Sequence, residues 1–144
     1  MYDNRMRLQF MSLSQNESFA RAAAGAFLTQ LNPTLDQLTD VRTAISEAVT
    51  NAVIHGYQNG PGLITLCATI EGGRCTFAVR DSGVGIEDVS RARQPFFTTR
   101  PELERSGMGF TVMETFMDEV VVRSSAGGGT TVIMKKIIKG EAKK

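Results

Sequence analysis

At the start of the chain Met6, Leu8 and Phe10 alternate with Arg5, Arg7 and Gln9, the period of two that marks a strand with one buried face. From Asn16 the apolar spacing changes to three and four, through Phe19, Ala23, Ala26 and Phe27, and predicts a helix that Asn32-Pro33 stops. Thr34 with Gln37 is a capping-box start for a long second helix running towards His55-Gly56, its apolar stripe being Leu38, Val41, Ile45, Ala48, Val49 and Ala52. Alternation returns in Leu63 to Glu71 and Arg74 to Arg80, separated by Gly72-Gly73, which supplies the positive φ of a tight hairpin turn. That turn pairs Glu71 with Arg74 and so sets Ile70 opposite Cys75, Ala68 opposite Phe77 and Leu66 opposite Val79, with one wholly apolar face. Cys67 then lies on the other face from Cys75, and no disulfide between them is expected.

Beyond Asp81 the pattern loses its period as far as about Ser106, through Gly83, Gly85, Pro95 and Pro101. A stretch of that length in a compact domain points to a functional lid or a linker. Phe110, Met113, Phe116 and Met117 predict a helix starting near Gly107, and Val120 to Arg123 with Thr130 to Ile138 predict a last hairpin around Gly127-Gly128-Gly129. There is no internal repeat. The order of elements implies one α+β domain over residues 1–144, an antiparallel sheet with helices on one face, and a flexible tail over 139–144.

Composition sharpens this in two places. The formal net charge of the 144 residues is +1, but all five lysines (Lys135, Lys136, Lys139, Lys143 and Lys144) lie in the last ten positions. Residues 1–134 therefore carry 11 Arg against 14 Asp+Glu, a net −3. A lysine-free body excludes the P-loop and the usual protein-kinase design, both of which place a lysine on the phosphates. It also has no broad basic footprint for nucleic acid. One histidine and two cysteines cannot make a four-ligand Cys/His zinc site. The longest apolar run, Ala22 to Leu28, is too short to span a membrane, and the start MYDNRMRLQF lacks a signal-peptide core, so a cytoplasmic location is expected. Glycine is the second anomaly: 12 of the 14 lie between Gly56 and Gly129, where something demands unusual backbone.

Four short motifs could carry chemistry. Glu47 and Asn51, four apart on the long helix, share one face; a carboxylate there could take a proton from a hydroxyl, and an amide oxygen suits Mg²⁺. Asp81, in DSGVG straight after a strand, could accept a hydrogen bond from an exocyclic amine such as that of adenine, with Gly83 and Gly85 letting backbone approach a flat ring. Gly107-Met108-Gly109 opens a helix and offers free N–H groups to phosphates, and Arg105 stands in for the missing lysine. Gly129-Thr130 closes the set. Taken singly, each motif also fits a plain structural role: a solvated helix face, a strand-ending turn, helix punctuation, a hairpin.

Together, E-x-x-x-N on a helix, D-x-G-x-G after a strand, Phe96-Phe97-Thr98-Thr99 in a loop, G-x-G opening a helix and then G-T-T resemble in order and spacing the GHKL, or Bergerat-type, ATP-binding fold of gyrase, Hsp90, MutL and sensor histidine kinases. ISEAVTNAVIHGY, RQPFFTTRPELERSGMGFTVME and MDEVVV, in a likeness running from Leu8 to Lys136, resemble the anti-sigma F family of spore-forming bacteria, small serine protein kinases. The resemblance implies an ATP-binding sandwich with a mixed, mostly antiparallel sheet. It also implies a homodimer that binds a sporulation sigma factor of the sigma F type and uses Mg-ATP to phosphorylate an anti-anti-sigma protein on serine.

Carried over by position, Glu47 would be the general base and Asn51 the Mg²⁺ ligand. Asp81, Gly83, Gly85 and Thr130 would lie at the adenine; Gly107 and Gly109 would hold phosphates, with Arg105 near the γ-phosphate, and Thr98, Thr99 and Met108 would also bind the nucleotide. Glu17 and Arg21 would contact partners, although their spacing equally fits a helix ion pair. The stretch from Arg93 to Ser106 would be an ATP lid, ordered by the γ-phosphate and looser with ADP. Arg100, where the relatives carry lysine, and a short loop at Gln58 to Gly62 are departures from the family. A stress-response anti-sigma kinase and a non-catalytic, ATP-gated sigma-binding module are the alternatives.

Overall fold

A computed structural model describes residues 3–86, 88–93 and 109–138. Five strands, β1 (Asn4–Met11), β2 (Leu63–Glu71), β3 (Arg74–Asp81), β4 (Glu119–Ser124) and β5 (Thr130–Ile137), form one sheet in the order β1-β2-β3-β5-β4. The helices are α1 (Gln15–Leu28), α2 (Leu35–Asn51), the one-turn α3 (Val89–Ala92) and α4 (Gly109–Phe116). Every strand pairing is antiparallel; over the described residues the mixed sheet implied by the family resemblance is therefore a purely antiparallel one. The class is α+β.

Alternation sorts the sheet into two faces. On one, Met6, Ala68, Phe77, Met134 and Val120 form a row across all five strands, and Leu8, Leu66, Val79, Val132 and Val122 form the next. These rows meet Val41, Ala44, Ile45, Ala48 and Val49 of α2 and Phe110 and Met113 of α4 in a single core. The hairpin register follows the turn: Glu71–Arg74, Ile70–Cys75, Ala68–Phe77 and Leu66–Val79 are all partners. Cys67 and Cys75 are free thiols on opposite faces.

The helix caps behave as their chemistry requires. The Thr34 hydroxyl accepts from the Gln37 N–H at 3.1 Å, and the Gln37 side chain accepts from the Thr34 N–H at 2.9 Å. Asn32 ends the preceding turn in the left-handed region at φ 52°. α1 departs from the expected stripe. Its buried residues are Ala20, Ala24, Gly25, Phe27 and Leu28, whereas Ala26 is exposed and Phe19 is 51% exposed, its ring edge-on to Phe10. The run Ala22-Ala-Ala-Gly-Ala26 carries no polar residue to mark its outer side, so the face could slip by one position in the reading. In the stretch after Asp81 that shows no period, Asp88 caps α3 by accepting from the Arg91 N–H at 3.0 Å; a single turn is too short to register as a period.

Burial pushes the Cys75 thiol up to about 12, so its reactive thiolate is scarce near neutral pH. Alkylation of the native protein at pH 8 should modify the half-buried Cys67 alone, and denaturant should expose the second thiol. Two adducts on the native protein, read by intact mass, would contradict the packing of β3.

Candidate functional site

α2 continues beyond Asn51 as a wider π-helical turn, Ala52–Gly56, closed by the Tyr57 N–H on the Ala52 carbonyl at 2.9 Å. Such turns re-aim side chains and recur at functional sites. Here the turn divides the helix into two working positions. Glu47 and Asn51 stand at the first, beside Gly109, the first described residue of α4. A Cβ built on Gly109 would lie 3.1 Å from both amide atoms of Asn51 and 3.4 Å from Glu47 Oε1. The start of α4 thus sits on the carboxylate and the amide, and glycine is what lets it come so close.

Gly56 stands at the second position. Asp81, the last residue of β3, is only 7% exposed, and its carboxylate lies against the Gly56 Cα, where an added Cβ would fall 2.8 Å from both Cγ and Oδ1. Gly83 donates its N–H to Asp81 Oδ1 at 2.9 Å, and the Thr130 backbone N–H also points at the carboxylate. The next loop residue is stitched to the helix end by the Val84 N–H on the Gly56 carbonyl at 2.9 Å. Gly83 packs so tightly there that a Cβ would fall 2.0 Å from that same carbonyl oxygen. Five residues of helix separate Asn51 from Gly56 and nine separate Glu47 from it, about 13 Å of rise at 1.5 Å per residue. An elongated ligand with an amine at one end and a charged group at the other would span both positions.

The charge state of Asp81 follows from this burial. Desolvation raises its pKa above the ordinary carboxylate value, and the N–H groups of Gly83 and Thr130 offset only part of the rise. Thr130 also shares a 2.7 Å hydroxyl contact with Ser124, whose Oγ accepts from the Ile86 N–H at 2.7 Å and donates to the Gly129 carbonyl at 2.8 Å. The DSGVG loop is therefore braced on the β4–β5 hairpin.

The structure thus brings Glu47, Asn51 and Gly109 into one cluster, and Asp81, Gly83 and Thr130 into another. Gly85 belongs to the second through its backbone: at φ +79° it passes so close to the Ser125 carbonyl that no side chain fits. Thr98, Thr99, Arg105, Gly107 and Met108, with Arg100 and all of the expected lid except Arg93, lie outside the described residues. Arg93 itself is anchored: its guanidinium pairs with Glu114 and donates to the Val120 carbonyl at 3.0 Å.

Glu17 and Arg21 do pair, at 3.2 Å, and both reach Ser46 of α2. This network ties α1 to the residue before Glu47. Three contributors went unnoticed in the sequence: Gly56, Ser124 and Tyr57, whose hydroxyl donates to the Leu63 carbonyl and accepts from the Ser82 N–H. The HGY run that ends the long helix was the available signal for two of them.

Two outcomes test this geometry. Gly56 has ordinary helical backbone, so Gly56→Ala should favour the helix itself by up to about 1 kcal/mol, yet the methyl displaces the Asp81 carboxylate. Binding of an adenine nucleotide, measured by calorimetry, should weaken at least about tenfold; unchanged affinity would remove the carboxylate from the site. An acid whose folded pKa is raised contributes stability at low pH that is lost as pH rises through that pKa. Without ligand, the wild-type melting temperature should therefore fall relative to Asp81→Asn as pH rises from about 4 towards neutrality. A difference independent of pH would sink this account.

Residues 12–136 match the family model described as a histidine kinase-like ATPase domain. The chain is 58% identical to an anti-sigma F factor of Clostridium kluyveri over 137 residues, 95% of this chain and 96% of the relative. It is 60% identical to one from Geobacillus kaustophilus over 136 residues, 94% and 93% of the two chains, and 58% identical to one from Anoxybacillus flavithermus over 141 residues, 96% and 97%. With a family model covering most of its length and such identity along nearly all of it, the chain belongs to the anti-sigma F factor family of histidine kinase-like ATPase domains.

Proposed function

We propose that the protein is an ATP-dependent serine kinase that binds and inhibits a sigma factor of the sigma F type and phosphorylates the anti-anti-sigma protein that opposes it. The observation that carries the catalytic half is the seating of the start of α4 on Glu47 and Asn51, in line along one helix with the Asp81–Gly56 contact. An adenine amine donating to Asp81 would direct the triphosphate towards Asn51 and Glu47.

The donor set there suits magnesium: one neutral amide oxygen, with the nucleotide's own phosphates and water completing a hard-oxygen shell. When bound with ATP, the ion supplies charge neutralisation at the phosphates, and Asn51 would hold it. The remaining work falls to the chain. Asp81 selects the base, the glycine-lined approach at Gly56 and Gly83 fixes its depth, and Glu47 receives the proton of the attacking serine. The charge role assigned to Arg105 rests on the sequence alone.

Under this reading Glu17 and Arg21 contact the protein partners, and their ties to Ser46 must yield or rearrange when a partner docks. Dimerisation and a cytoplasmic location come with the same family reading. Among the described residues, no helix is long and apolar enough to cross a membrane.

Incubating the protein with γ-labelled ATP and an anti-anti-sigma protein should yield phosphoserine. Glu47→Gln should keep nucleotide affinity and lose transfer by roughly 10²–10⁴-fold. If Glu47→Gln transfers at the wild-type rate, Glu47 is not the base; if the wild type binds ATP tightly and forms no phosphoserine, ATP only gates sigma binding.

A further inference from the structure

The sheet face away from the helices carries a feature that the nucleotide reading does not use. Strand register sets Arg80 of β3 opposite Thr131 of β5, and Thr131 opposite Arg123 of β4. These three side chains point away from Asp81, Thr130 and Ser124, their neighbours in sequence, which face the helices. Two strand spacings put the arginine backbones about 10 Å apart, close enough for both guanidinium groups to converge over Thr131. Beside them Ser82, Ser125 and Gly128, with Asp81, Ser124 and Gly129 at the strand ends, complete the lining of an open groove of about 440 Å³. Arg80 and Arg123 are exposed, and among the described residues neither guanidinium has a hydrogen-bond or ion-pair partner.

The charge of the whole face points the same way. Alternation places Arg5, Arg7, Arg74, Arg80, Arg123 and Lys135 on it against only Glu71 and Glu119. Lys135 is paired with Glu119 at 3.3 Å, and Arg74 stands opposite Glu71. The uncompensated positive charge is thus at Arg5 and Arg7 on the β1 edge and at Arg80 and Arg123 in the groove. A body with net −3 therefore keeps a local excess of positive charge at a concave, hydroxyl-rimmed spot.

We propose that this groove binds a phosphoryl group, distinct from the phosphates of the nucleotide on the other side of the sheet. A lone planar carboxylate is satisfied by one guanidinium fork, whereas a tetrahedral dianion takes donors from several directions at once. Two guanidiniums flanking a threonine hydroxyl, with serine hydroxyls at the rim, match the second demand. The ligand is either a small phosphate compound or a phosphorylated side chain of a protein.

The test is amide chemical-shift titration of the full chain saturated with a non-hydrolysable ATP analogue, so that the nucleotide's own phosphate positions are filled. The probes are inorganic phosphate, a phosphoserine peptide and the same peptide with glutamate in place of phosphoserine. Saturable shifts at Ser82, Ser125, Gly128 and Thr131 are expected. Arg80→Gln and Arg123→Gln should each weaken binding about tenfold, and together abolish it, with the melting temperature and nucleotide affinity unchanged because both side chains are exposed and on the far face. Inorganic phosphate binding as well as the phosphopeptide identifies a small ligand; tighter phosphopeptide binding identifies a protein. No saturable shift with either phosphate probe, shifts that survive the double substitution, or equal binding of the glutamate peptide would each overturn the proposal. Since the arginine variants report on the groove alone, the result does not depend on whether the kinase reading holds.

Discussion

The contact on which the site depends is that of the Asp81 carboxylate with the bare Cα of Gly56. It joins the end of a strand to the end of a helix without a side chain between them, and the Val84–Gly56 hydrogen bond fastens the following loop to the same point. A helix and a sheet normally pack at a distance set by their side chains, about 10 Å. Here the two layers pinch together at one end. Glycine at positions 56 and 83 permits the approach, and the β4–β5 hairpin supports it from the other side through Ser124 and Thr130. The pinch also explains the state of Asp81. A carboxylate wedged this deeply loses water and gains only backbone N–H groups in return, leaving acceptor capacity for a ligand's amine.

α2 links this contact to the chemistry. One side of the helix supplies a large part of the core through Val41, Ile45, Ala48 and Val49; another presents Glu47 and Asn51 to α4. The same element that holds the domain together therefore sets the distance between base-reading and phosphate-handling groups. The π-helical turn at its end changes the pitch between Asn51 and Gly56, so that each faces its own neighbour. α1 is tied to this helix by Glu17 and Arg21 at Ser46, one residue before Glu47. A partner that pulled on that pair would act one peptide unit from the proposed base.

Much of this was legible from residue order. The register of the β2–β3 hairpin was readable to the residue because Gly72-Gly73 selects a two-residue turn, and a turn of known length leaves one pairing with an apolar face. The capping box was readable because Thr34 and Gln37 interact across three positions. The lysine-free body correctly excluded the P-loop, and E-x-x-x-N, D-x-G-x-G and G-T-T carried the family. α1's face was misjudged where alanines gave no contrast between its sides. The single turn at Val89–Ala92 and the π-helical turn were not legible, because one turn is shorter than any period and a π turn leaves the sequence pattern almost unchanged.

The sequence by itself determined where the strands and the longer helices lie, how the two strands around Gly72-Gly73 pair and which residue types could serve a nucleotide, because these depend on side chains a few positions apart. Only the tertiary structure decided that Gly109 sits on Glu47 and Asn51, that Gly56 makes room for Asp81, and that Arg80 comes to lie two strands from Arg123, on either side of Thr131. Those contacts join residues separated by 25 to 62 positions. No local pattern encodes them; they follow from the order in which strands enter the sheet and from how closely two layers can approach where a side chain is missing.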